Sequence, residues 1–103
     1  MIKHENAILA ANLRKSVTPA VDVCNMINKF NVILTQEMPL NKDKQPIPFG
    51  TINITYSGNP GARAAIYSHP ATQLIPCTFL TTNDTAVGIL YAKRGNTLLV
   101  SSY

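Results

Sequence analysis

Charged side chains are scarce in this sequence: Lys, Arg, Asp and Glu together make up 14% of 103 residues, against roughly a quarter in an average soluble domain. A surface with so little charge must expose apolar or Ser/Thr/Asn-rich area, which suits a subunit that buries one face in an assembly. Acids are the scarcer sign. Glu5, Asp22, Glu37, Asp43 and Asp84 are scattered, and no two of them form a readable pair for acid–base work. Histidine is reduced to His4 and His69, neither with a carboxylate, cysteine or second histidine at ligand spacing, so no metal site is expected and no cofactor motif is present. Cys24 and Cys77 lie far apart with no CxxC spacing, which reads as two reduced, buried thiols. Cys77 sits in an apolar run without a neighbouring cation to lower its pKa, so a Cys77–His69 nucleophile pair is not supported. No run approaches the ~18 consecutive apolar residues of a membrane span, and the first residues lack the order of a signal peptide; a soluble, cytoplasmic protein with no membrane partner is expected.

The bases outnumber the acids nine to five, for a net charge of +4. Lys3, Arg14, Lys15, Lys29, Lys42, Lys44, Arg63, Lys93 and Arg94 are spread along the chain, and the four tyrosines do not interleave with them. That distribution argues against a nucleic-acid partner, because such binders concentrate basic charge beside aromatic residues.

With 46% hydrophobic residues in 103, the chain can build one core, and residues 1–103 read as a single domain. Residues 1–31 look helical. Leu9 and Leu13 stand four apart among alanines between Glu5 and Lys15, and Thr18-Pro19 offers an N-cap followed by proline at the first helical position. Ala20, Val23, Cys24, Ile27 and Phe30 then form one apolar stripe of about three turns. Residues 32–103 read as β-rich. Val32–Thr35 is a short β-branched run; residues 37–50 form a long loop holding Pro39, Pro46 and Pro48; and 51–57 alternate so that Ile52, Ile54 and Tyr56 face a core. Ala64–Tyr67 is a weak strand, and Leu74–Leu80, with Pro76 inside it, belongs at a sheet edge or a bulge. The fold class expected is α+β, two N-terminal helices packed on an antiparallel sheet of about four or five strands.

The clearest stretch is 81–100. Ala86–Ala92 and Thr97–Ser101 form two strands joined across Lys93-Arg94-Gly95-Asn96, and Gly88 implies a bulge or a close neighbour. Thr81-Thr82-Asn83-Asp84-Thr85-Ala86-Val87-Gly88-Ile89-Leu90 resembles a segment of the lambda-type phage head decoration proteins. The resemblance implies a non-enzymatic structural protein that trimerises and stabilises a capsid lattice, found in the producing cell's cytoplasm or in the virion. The preferred expectation is therefore a homo-oligomer docking on a protein partner, with Met38, Leu40, Phe49, Leu74 and Phe79 as interface residues. The rival expectation is an accessory protein that binds an anionic ligand or nucleotide through Arg63, Lys93 and Arg94, or that inhibits a host protein.

Overall fold

The computed structural model describes residues 7–103. His4, and the start of the helix expected from Glu5, lie outside the described residues. Among those described there are one α-helix and seven strands in two sheets, so the expected pair of helices on a single antiparallel sheet is corrected. The elements are β1 (Ile8–Asn12), α1 (Val17–Cys24), β2 (Val32–Gln36), β3 (Asn53–Thr55), β4 (Ala64–Ser68), β5 (Leu74–Pro76), a 3-10 turn (Thr78–Leu80), β6 (Thr85–Ala92) and β7 (Gly95–Ser102). Among the described residues no helix is long and apolar enough to cross a membrane.

The first sheet has the order β1-β2-β4-β3, with β1 parallel to β2 and the other neighbours antiparallel. Residues 8–12 read as helical because Ala and Leu favour helix by a few tenths of a kcal/mol per residue. Tertiary pairing outweighs that preference. Five residues of β1 pair with β2, Leu9 and Ala11 pack on the core, and Leu13 just beyond the strand is fully buried. The connection back to β2 is α1, which starts at Ser16 instead of Thr18. Ser16 is extended (φ −105°, ψ 134°), and Pro19 still falls in the first turn, where its missing N–H breaks no helical bond. Ala20, Cys24 and Ile27 are buried and Val23 and Phe30 pack beside them, but the helix ends at Cys24, short of the expected three turns, and Ile27 and Phe30 come from the turns that follow.

Two clusters of buried residues separate three layers. On the α1 side of the first sheet, Leu13, Ala20, Cys24, Ile27, Ile33, Met38, Ala65 and Tyr67 pack together. Burial pushes the Cys24 thiol up to about 11, so it is an inert core group. On the opposite face, Val32 and Ile66 meet Ala86, Leu90 and Leu99 of the second sheet, whose order is β5-β6-β7. β4 is covered on both faces, and all five of its residues are buried. Its small Ala64 and Ala65 read as a weak strand, yet their size is what lets two layers close on it. Thr55, which the alternation of 51–57 turns to the face opposite Ile54, is buried because β6 lies on that side of β3. Ile52, Ile54 and Tyr56 do pack on the core.

The second sheet follows expectation closely. β6 and β7 pair through Ala92↔Gly95, leaving Lys93 and Arg94 as the turn. Gly95 carries a φ of +138°, which glycine alone adopts freely. At Gly88 a Cβ would stand 3.1 Å from Leu74 Cδ1, so this glycine admits the short edge strand β5.

Candidate functional site

The strand directions bring one end of both sheets together. β1 and β2 finish there, β4 and β6 begin there, and β7 finishes beside the start of β6. The connecting backbone is hydrogen-bonded into a continuous frame. Leu13 N–H donates to Gln36 O (2.8 Å), Lys15 N–H to Glu37 O (2.5 Å), Glu37 N–H to Arg63 O (2.8 Å) and Arg63 N–H to Asn83 O (2.6 Å). Tyr103 N–H closes the circuit on Asp84 O at 2.8 Å, and the Gln36 side-chain amide donates to Ser102 O.

Among the described residues four non-glycine positions have positive φ: Arg14 (52°), Lys15 (59°) and Glu37 (51°) at this end, and Lys44 (60°) in the loop that follows β2. Side chains enter the left-handed region at a cost of about 1 kcal/mol each. Strain gathered in one place marks backbone held for a purpose other than stability. Lys44 belongs to the group because its carbonyl accepts Gly61 N–H (2.8 Å), two residues before Arg63.

The side chains divide into a locked set and an open one. Arg63 donates through Nε and Nη2 to the two oxygens of Asp84 (2.7 and 2.8 Å), and its guanidinium carbon lies 4.3 Å from the centroid of the Tyr103 ring. The Arg63 hydrogen bond holds the Asp84 carboxyl below the usual carboxylate range, and Asp84 in turn holds Arg63 charged. Asn83 ties in a further loop: it accepts from the Ser57 hydroxyl and donates to Pro60 O (3.1 Å). Glu37 is the open member. Arg63–Asp84 is the ion pair among the described residues, and the half-buried Glu37 carboxylate has no hydrogen-bonding or ionic partner there. Asn12 lies at the end of β1, paired in register with Gln36; its side-chain oxygen accepts Arg14 N–H at 2.9 Å and its amide group stays exposed.

The fold also gathers basic residues that are dispersed in sequence. Arg14 and Lys15 are exposed on the segment whose Lys15 N–H bonds Glu37 O, Arg63 meets Glu37 N–H through its carbonyl, and the exposed Lys42 and Lys44 share a turn tied to Gly61. Lys93 and Arg94 are at the far end of β6, roughly 25 Å of strand away, so the trio Arg63, Lys93 and Arg94 is not assembled within one chain. Of the expected interface residues, Met38 is fully enclosed in the core, Leu40 and Phe49 are half-buried against it, and Leu74 packs between the sheets. Phe79 stands 87% exposed. Glu37 and Asn12 were absent from the residues singled out in the sequence. The available signal was position: Glu37 directly follows the run that becomes β2 and opens the long loop, and loops carry binding and catalytic residues more often than the elements they join. Among the described residues no three of His, Cys, Asp and Glu group to enclose a metal ion.

No family model matches the chain, and no curated protein matches it. Among solved structures it is similar to the endonuclease domain of TRAS1, a telomere-specific non-LTR retrotransposon, with a TM-score of 0.77 and 22% identity over 95% of this chain. The match takes in 45% of that domain, so the chain spans less than half the length of the structure it resembles. The fold is therefore one found in an endonuclease domain. That finding replaces the expectation of a non-enzymatic structural or accessory protein, and with it the capsid-decoration reading and the α+β label.

Proposed function

We infer that this chain forms part of a phosphodiester-cleaving, nuclease-type domain, and that its polar end is the face that meets a nucleic-acid backbone. The observation that carries the reading is the half-buried Glu37 carboxylate, without a partner among the described residues, with the left-handed, basic Arg14 and Lys15 beside it, Lys15 through its backbone bond to Glu37 O. The likeness to an endonuclease domain supports it. Phosphate oxygens are bound by such cations, and the affinity is electrostatic and salt-dependent. The reading departs from the expectation against nucleic acid, which rested on the linear spread of charge; that spread is undone by the way the loops converge.

A lone carboxylate with an amide neighbour also suits a magnesium-type cation, which keeps most of its waters and takes one or two carboxylates plus substrate phosphate. Glu37 would be the carboxylate and Asn12 the neighbouring oxygen donor. Such an ion supplies charge neutralisation at the phosphoryl oxygens. The chain's own part is to hold Glu37 in place by its backbone bonds to Lys15 and Arg63 and to draw the phosphate in with the basic rim.

The test is binding of a fluorescent duplex oligonucleotide, by anisotropy, with and without Mg²⁺. Wild type should bind in both conditions and more tightly with Mg²⁺. Glu37→Gln should remove the Mg²⁺ increment and leave metal-free binding unchanged or stronger. Absence of binding at low salt, or an Mg²⁺ increment that survives in Glu37→Gln, would refute the assignment.

A further inference from the structure

Strand β7 is the open edge of the second sheet. The bond from Tyr103 N–H to Asp84 O fixes its alternation: Gly95, Thr97, Leu99 and Ser101 exchange bonds with β6, while Asn96, Leu98 and Val100 turn their N–H and C=O groups outward. The outward carbonyl of Ser102, taken by the Gln36 side chain, obeys the same alternation. None of the eight residues is charged or proline, the devices by which natural edges avoid pairing. The opposite edge, β5, is three residues long and contains Pro76. Leu98 and Val100 are 58% and 47% exposed on the outer face of the sheet.

We propose that β7 pairs antiparallel with β7 of a second copy of this chain, about a two-fold axis at Leu99, joining the two three-stranded sheets into one. This register sets Leu98 opposite Val100 of the second copy, Asn96 opposite Ser102 and Thr97 opposite Ser101, so apolar meets apolar and polar meets polar. It also brings outward-facing groups onto outward-facing groups, as an antiparallel ladder requires, with Asn96 N–H taking the Ser102 carbonyl in place of the Gln36 amide at either end. A two-residue slip in either direction would place Leu98 against Ser102 or Val100 against Asn96, and a one-residue slip would match outward groups with inward ones. Although each chain carries +4, no charged side chain lies within the paired segment. The Lys93–Arg94 turn of one copy then passes the Tyr103 end of the other, on the rim of its polar site.

The test is mass in solution by light scattering, at a chain concentration of about 100 µM, where a micromolar interface is saturated. Wild type should weigh twice 11.2 kDa. Val100→Pro removes an outward N–H that the isolated chain does not use, a change an edge strand tolerates; it should give a monomer with an unchanged circular dichroism spectrum. Leu98→Glu should do the same by a different route. A monomeric wild type overturns the proposal and leaves this face to another polypeptide. A dimer that survives both substitutions overturns it as well, since its interface would then lie elsewhere.

Discussion

Tyr67 is fully buried in β4, and its hydroxyl is the buried side-chain polar atom left without a hydrogen-bond partner among the described residues. Burial, with Cys24 nearby, pushes its pKa above the ordinary tyrosine range, so the group stays neutral and its cost is that of an unsatisfied hydroxyl. Such a group costs about 1–3 kcal/mol. Tyr67→Phe should therefore be neutral or stabilise the chain by about 1 kcal/mol in urea unfolding, and a loss of stability of that size would show that the hydroxyl has a partner after all. Asp84 makes the opposite case, a polar group whose charge is supported. Because Arg63 depresses its pKa, the folded chain binds that proton more weakly than the unfolded chain does. The contribution to stability is present above the ordinary carboxylate range and is lost as pH falls through the lower folded value. Thermal melts taken downward from about pH 4 should show a decline in wild type that is flattened in Asp84→Asn. The two side chains are 43% and 49% exposed, so the effect is modest and shrinks with added salt. Parallel declines in the two proteins would mean that other carboxylates carry the acid sensitivity.

Helix α1 is an under-secured element. Its N-cap, Ser16, makes no side-chain capping bond, and its first turn holds no acid to complement the helix dipole. Ser16→Asp should raise stability by about 0.5–1 kcal/mol, read as a shift of the urea midpoint at constant slope; no shift would mean that the N-terminal N–H groups are already satisfied by water. The same element shows why parts of the fold were legible in sequence. Its buried Ala20 and Cys24 and the β6–β7 hairpin were readable because their patterns are local, set by residues four apart or by a two-residue turn. The helix itself ends at Cys24, and Ile27 and Phe30 continue the stripe from turns. β1 was not readable, since nothing in Ile8–Asn12 alone says that β2 waits more than twenty residues later to pair in parallel. The second sheet layer was missed for a related reason. β4 needs both of its faces covered, and a five-residue strand with three small or polar members does not announce two neighbours. The candidate site lay further from view, because Asn12, Glu37, Arg63, Asp84 and Tyr103 come from five separate segments that only the strand directions bring together. The strain at Glu37 and Lys44 is likewise a property of the folded backbone, with no glycine to mark it.

Across the whole molecule the charge is divided between two ends, and that division makes the nucleic-acid reading and the pairing of β7 separately testable. Arg14 and Lys15 adjoin Glu37, and Lys44 lies in the loop tied to Gly61, whereas Lys93 and Arg94 sit at the opposite end of β6. Each phosphate contact contributes about 0.9 to the slope of log affinity against log salt for duplex DNA. The triple change Arg14→Ala, Lys15→Ala, Lys44→Ala should reduce that slope in any assembly state, because these residues belong to the rim of their own chain's site. Lys93→Ala with Arg94→Ala behaves conditionally. In an isolated chain the pair is too distant from the site to alter its slope, but in the antiparallel pair it borders the Tyr103 end of the second copy and should lower the slope there. Combining the change with Val100→Pro completes a double-mutant cycle. The Lys93/Arg94 effect should be present in the wild-type background and absent in the Val100→Pro background. If the effect is equal in both backgrounds, the far turn touches DNA directly without help from a second chain; if it is absent in both while the triple change still lowers the slope, the rim binds phosphate alone.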